Sequence, residues 1–167
     1  MFGKKPQILQ TLFLLLLAAG IPCCIASCES SRELTIVNQE AAIDSYINSK
    51  YKDNQVVRNN GSNRIIILPG DSTQVAMPGD SAVVSLRGYV FNNGPLTQFI
   101  ETDVVTCIGD GSLISGLDSG IQGMNLGEQA HIIFTAKMGF YSELVGIVPK
   151  MSPLFYIVTL ASIKKNS

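Results

Sequence analysis

The chain has 167 residues, a net charge of −1, one histidine and no tryptophan. That length gives one main domain. No cluster of Lys and Arg stands anywhere along it, which argues against nucleic-acid binding, because phosphate contacts need grouped cations.

Residues 1–27 read as an address. Lys4 and Lys5 form a charged start, Leu12 to Ala19 is a solid apolar run, and small residues follow as far as Cys28. This is the three-part pattern of a secretory signal. Ile25-Ala26-Ser27-Cys28 also resembles the bacterial lipobox, whose cysteine is lipidated and becomes the mature N-terminus, so Cys28 is the predicted lipidation site. Cys23 and Cys24, just after Pro22, fit that pattern less well. A permanent anchor is the competing reading, but the stretch from Leu12 to Ser27 is slightly short for a spanning helix. The expected location is the cell envelope, at the outer membrane on its periplasmic or surface side, held through a lipid anchor. Removing Lys4 and Lys5 with no acid takes the net charge from −1 to −3. Cys107 is then the one cysteine beyond Cys28, so no internal disulfide is expected; it reads as a small buried hydrophobe.

Residues 28–37 read as a tether. Asn38 is placed to cap a helix over Gln39–Lys50, with Ile43, Tyr46, Ile47 and Tyr51 on one apolar face. Gln55–Arg58 and Arg64–Pro69 read as strands joined by the turn Asn59-Asn60-Gly61-Ser62. Residues 38–77 thus make a helix and hairpin arm ahead of a domain at 78–167. Turns at Pro69–Ser72 and Met77–Asp80 lead into a long strand, Ser81–Phe91, and a further strand over Phe99–Ile108.

The stretch from Leu113 to Glu128 organises the rest. Leu113, Ile114, Leu117, Ile121 and Met124 form the apolar stripe of a short helix. Asp118 lies early, where a carboxylate suits the positive helix end, and Gly127 falls where a left-handed C-cap is expected. Gly116, Gly120 and Gly123 each cost about 1 kcal/mol against Ala in a helix, so they imply close approach of another backbone or a ligand. The stripe is either a core helix on a sheet or the floor of an apolar pocket. Gln129–Ala136 alternates as a strand, with Ala130, Ile132 and Phe134 on one side and His131 and Ile133 on the other; His131 is expected at the surface. Lys137–Pro149 is a loop, Leu154–Ile163 the last strand, and Lys164-Lys165 a solvated end. The class is α+β, antiparallel strands with one helix packed across them.

Nothing points to a metal or a cofactor. His131 has no ligand spacing around it, Gly109-Asp110-Gly111 lacks the rest of a dinucleotide or phosphate-loop fingerprint, and Asp103, Asp110 and Asp118 are scattered.

Three stretches in order resemble the FKBP-type peptidyl-prolyl isomerases. Pro78-Gly79-Asp80 with Val83 to Tyr89 is similar to the family's Gly-Asp strand. Leu113 to Leu117 with Gly123 to Glu128 is similar to its central helix. Gly146-Ile147-Val148-Pro149 with Leu154 to Val158 is similar to its closing loop and strand. The helix and hairpin at 38–77 resemble the arm of the family's lipoprotein members. The resemblance implies an antiparallel sheet wrapped around one short helix and a pocket made of Leu86, Phe99, Ile100, Leu113, Ile114, Leu117, Phe140, Ile147, Val148 and Tyr156. In it Phe99 would be a wall, Ile114 would offer its backbone N–H, and Leu117 would be the floor under a proline ring. The chain departs from the family pattern at several places. Leu86 and Phe140 stand for tyrosines, Ile100 for an aspartate, Leu117 for a frequent Trp, and Tyr156 for a late Phe. Two functions follow as expectations: an isomerase or folding helper acting on X–Pro bonds of proline-containing segments, or a non-catalytic module holding an envelope protein.

Overall fold

A computed structural model of the protein describes residues 23–166, with side chains from Glu29 onward. Residues 1–22 of the predicted signal, and the Cys28 side chain, lie outside the described residues. The described residues fall into two units, one ending at Thr35 and one beginning at Ile36. In the first, the described part is helical, the side chains from Glu29 to Leu34 are exposed, and Thr35 Oγ1 donates to the Ser31 carbonyl at 2.9 Å.

The elements in chain order are α1 (Cys23–Lys50), β1 (Val56–Asn59), β2 (Ser62–Leu68), β3 (Asp71–Val75), β4 (Ser81–Phe91), β5 (Pro95–Cys107), α2 (Ser115–Ile121), β6 (Asn125–Leu126), β7 (Gln129–Phe134), a 3₁₀ turn (Ala136–Met138) and β8 (Leu154–Lys164). The segment 28–37, expected as a tether, is helical, and Asn38 is an exposed residue inside α1 rather than its cap. The reason lies in the composition: no Gly or Pro interrupts Cys23–Lys50, so nothing stops the helix before Asn38.

Six strands form one antiparallel sheet in the order β1-β2-β7-β8-β4-β5, and β3 pairs with β6 apart from it. Asn60 and Gly61 both take positive φ, 46° and 82°, the geometry of a two-residue type I′ hairpin. That hairpin is not a separate arm. β2 pairs with β7 from Ser62↔Phe134 to Leu68↔Gln129, so it extends the main sheet.

Both faces of this sheet are covered. On one, α2 lays Leu117 and Ile121 against Val84, Leu86, Ile132, Phe134, Val158 and Leu160. On the other, Ile43 and Ile47 of α1 pack with Ile65, Phe91, Ile133 and Phe155. The second layer corrects the reading of His131. Its side chain lies under Tyr51, whose hydroxyl is 2.8 Å from Nδ1, and its ring is 5.0 Å from that of Phe155. β7 is a central strand buried on both sides, so its alternation does not separate core from solvent.

α2 is shorter than the apolar stripe. It ends at Ile121, and the left-handed residue after it is Gly123 (φ 76°), two residues beyond, while Gly127 turns β6 into β7. Gly116 and Gly120 serve close packing. A Cβ on Gly116 would stand 2.3 Å from Phe134 Cγ, and one on Gly120 would stand 2.6 Å from Ile132 Cγ2. Arg64 finishes the helix: its guanidinium donates to the carbonyls of Gly120 (3.1 Å), Gln122 (2.8 Å) and Gly123 (3.1 Å) and lies 3.3 Å from the buried Glu128 carboxylate. Lys165 is not a free solvated end. It donates to the Asp80 carboxylate at 2.7 Å and to the Val75 carbonyl at 2.6 Å, and this hydrogen bond holds Asp80 below the usual carboxylate range.

Candidate functional site

The site begins with a β-bulge. Along β4 and β5, Gly88 pairs with Ile100 and Tyr89 with Gln98, so Phe99 is an extra residue on β5. A bulge breaks strict alternation and turns two consecutive side chains the same way. Phe99 Cζ and Ile100 Cγ2 both come within 2.8 Å of where a Cβ on Gly88 would stand. Glycine at position 88 is therefore what lets Phe99, Ile100 and Tyr156 converge. Phe99 meets Tyr156 edge-on at 5.8 Å and Phe140 edge-on at 6.1 Å, and Tyr156 stacks on Phe134 at 5.8 Å.

α2 supplies the floor. Leu117 is buried in the cluster that holds Leu86, Val148 and Tyr156, with Leu113 and Ile114 packed at its edge. Ile114 stands before the helix in extended conformation (φ −58°, ψ 141°), and its carbonyl accepts from the N–H groups of Leu117 and Asp118. No backbone hydrogen bond among the described residues uses its N–H. Asp118 lies in the first turn of α2, at its positive end as expected, and its Oδ1 also accepts from the Gly109 N–H at 2.8 Å, which ties down the turn before the helix.

The loop after β7 closes the other side. Phe140 packs against the cluster, and the tight pairing of Val145 with Val148 buries Val148 while leaving Ile147 64% exposed. Successive residues of such a turn point opposite ways, so Ile147 does not join the other predicted residues. Ile100 is more open than the rest, at 38% exposure. Leu86, Phe99, Leu113, Ile114, Leu117, Phe140, Val148 and Tyr156 share one apolar cluster.

Sequence reasoning missed the support of this loop. Gln39, on α1, donates through Nε2 to the Met151 carbonyl (2.7 Å) and accepts through Oε1 from the Ala136 N–H (2.9 Å). Its signal was present: Gln39 falls three residues after Ile36 and four before Ile43, both buried, so it is a polar residue on an apolar helix face. A second groove, about 400 Å³, involves β4, β5 and β8 and is lined by Ser85, Leu86, Arg87, Glu101, Asp103 and Thr159 among others. Its polar groups are partnered internally: Ser85 Oγ donates to Asp103 at 2.5 Å, and Arg87 pairs with Glu101 at 3.9 Å. Leu86 is its one member from the predicted set. No group of His, Cys, Asp and Glu among the described residues is arranged to hold a metal ion. Cys107 is a free, half-buried thiol at the end of β5, more open than expected.

The model of the family described as FKBP-type peptidyl-prolyl cis-trans isomerase matches residues 72–161, more than half of the chain. The chain belongs to that family. It is 35% identical over 60 residues to FK506-binding protein 1 of Aspergillus oryzae, a match covering 36% of this chain and 52% of the relative. The FKBP fold also appears in the crystal structure of the three FKBP domains of wheat FKBP73, at TM-score 0.60 and 20% identity, covering 68% of this chain and 50% of that one. The chain spans about half the length of the relatives it matches. Every predicted pocket residue lies inside the FKBP match, from Leu86 to Tyr156, whereas α1, β1 and β2 precede it.

Proposed function

We propose that this FKBP-family chain is a peptidyl-prolyl cis-trans isomerase or folding helper, acting on X–Pro bonds and held at the cell envelope by lipid on Cys28. The observation that carries the reading is the apolar cluster of Phe99, Phe140 and Leu117 beside the uncommitted N–H of Ile114. In this proposal Phe99 and Phe140 part to admit a proline ring.

This chemistry needs no acid, base or nucleophile. Conjugation holds the amide planar with a barrier of about 18–20 kcal/mol, and uncatalysed X–Pro exchange takes tens to hundreds of seconds. An apolar cleft buries the proline ring and disfavours the polar planar amide against the less dipolar twisted one. The Ile114 N–H is the donor suited to hold a substrate carbonyl while the bond turns. Each 1.36 kcal/mol of preference for the twisted form gives about tenfold in rate.

The test follows cis-to-trans relaxation of a short X–Pro peptide with the full chain, wild type beside Phe99→Ala. A rate above background that the substitution removes supports the isomerase. Background rates in both overturn it and favour a binding module for an envelope protein, a reading supported by Leu86, Ile100 and Phe140, which bring only hydrocarbon to the cleft. Lipid attachment is tested by labelled fatty-acid incorporation, which Cys28→Ala abolishes.

A further inference from the structure

Tyr156 stands near the start of β8, paired with Gly88 on one side and Ile132 on the other, and it is 3% exposed. Its Cε1 lies 2.7 Å from where a Cβ on Gly88 would be, beside Ile100 Cγ2 (2.7 Å) and Phe99 Cζ (2.8 Å). Cε1 adjoins the carbon that carries the hydroxyl. The empty position at Gly88 thus lets the ring lean across β4 and carries Oη toward the bulge of Phe99 and Ile100.

No hydrogen bond to this hydroxyl occurs among the described residues. Burial alone acts on its acidity and pushes it well above the usual tyrosine range, so it is a donor at any physiological pH. Tyr51, the other tyrosine raised by burial, has His131 Nδ1 within 2.8 Å. Among the described residues, the fully enclosed side-chain polar atoms without a hydrogen-bond partner are Ser62 Oγ and the ion-paired Arg64 Nε and Glu128 Oε1. Tyr156 Oη is not one of them, so it is not fully sealed off. A phenol this deep usually finds a partner, and phenylalanine would fill the same room with no hydroxyl to desolvate. The ring is placed for a ligand that brings an acceptor.

We infer that Tyr156 Oη–H touches substrate, donating a hydrogen bond to a carbonyl oxygen of an X–Pro segment seated between Phe99 and Ile114. This rests on the reading of the cleft as an X–Pro site. Proline has no N–H, so the groups a peptide offers around it are carbonyl acceptors, which a tyrosine donor suits. Tyr156 then supplies the polar contact that Leu86, Ile100 and Phe140 cannot.

The test compares Tyr156→Phe with wild type in the full chain, using an Ala-Leu-Pro-Phe peptide. Calorimetry gives Kd, exchange NMR gives kcat/KM, and thermal melting gives Tm. The inference expects Kd to rise and kcat/KM to fall by roughly three- to tenfold, while Tm holds or rises because a stranded hydroxyl has gone. Unchanged Kd and kcat/KM in the variant overturn it and leave the isomerase reading standing. If wild type binds the peptide without isomerising it, the isomerase reading falls and the Kd ratio alone decides Tyr156. If wild type neither binds nor isomerises, both fall. Should the variant unfold, the ¹³Cζ resonance of Tyr156 in wild type decides: it shifts on peptide addition, or the inference is wrong.

Discussion

Gln39 holds Met151 across 112 residues of sequence: its side-chain N–H donates to the Met151 carbonyl at 2.7 Å, and the same amide accepts from the Ala136 N–H at 2.9 Å. Ala136 and Met151 begin and end the loop that carries Phe140 and Val148. Inside that loop, Met151 N–H donates to the Tyr141 carbonyl and Tyr141 N–H to the Ala136 carbonyl, with Tyr141 and Met151 both at positive φ (48° and 58°). Two non-glycine residues held there need neighbours that enforce the conformation. One amide on α1 therefore fixes the spacing of a strained loop at the cleft.

Gln39→Ala should loosen that loop without unfolding the sheet. Two hydrogen bonds are lost at about 1 kcal/mol each. Amide exchange should quicken at Ala136 and Met151 and stay slow in β4, β7 and β8. If the cleft works on X–Pro bonds, kcat/KM falls severalfold with it. Unchanged exchange at both amides would show that Gln39 does not hold the loop.

Gly116→Ala should destabilise the protein although alanine favours helix. The propensity gain is about 1 kcal/mol, but the new methyl would meet the Phe134 ring at 2.3 Å, and overpacking a core costs about 1–3 kcal/mol. Because Phe134 stacks on Tyr156, the shift also reaches the cleft. A lower Tm checks the sign, and a raised Tm would mean that α2 lifts freely from β7.

What the sequence revealed and what it hid differ in range. Ser81–Phe91 matches β4 residue for residue, and Asn60-Gly61 gives its turn, because strand alternation and hairpin geometry are local properties. The resemblance also singled out Ile147, which lies outside the shared apolar cluster; Phe99 and Ile100 were legible as candidates. Their shared direction was not, since a bulge is created by strand register and leaves no mark on alternation. His131 misled because a two-sided strand hides its second face until α1 is placed over it. Gln39 and Arg64 act on partners 112 and about 60 residues away, beyond the reach of any window along the chain.

Arg64→Met should cost about 3–5 kcal/mol, since it leaves the Glu128 carboxylate buried without its counter-charge. The two side chains are 7% and 1% exposed, and Arg64 also finishes α2 through three carbonyls. Burial lowers the arginine pKa and Glu128 opposes that shift, as expected of a pair that depends on its partner. Urea denaturation of the single variant beside Arg64→Met/Glu128→Met measures this. The double variant should recover part of the loss, and a single variant as stable as wild type would show that the pair does not matter.

His131 gives the fold a pH dependence whose sign follows from its burial. Burial holds its pKa below the ordinary value of about 6.5. Tyr51 keeps its proton, its own pKa raised first by burial, so its hydroxyl is able to donate to Nδ1 in the tautomer that leaves this nitrogen bare. A protonated imidazole would lose that acceptor. On acidification the unfolded chain binds the proton first, near pH 6.5, and the folded chain only at lower pH. Stability is therefore level above about pH 7, declines as pH falls through 6.5, and goes on declining until the folded pKa is passed. His131→Gln keeps an acceptor for Tyr51 and cannot titrate. Urea midpoints of wild type should fall between pH 7 and pH 5 more steeply than those of the variant. Parallel profiles would show that His131 titrates alike in both states and carries none of the slope.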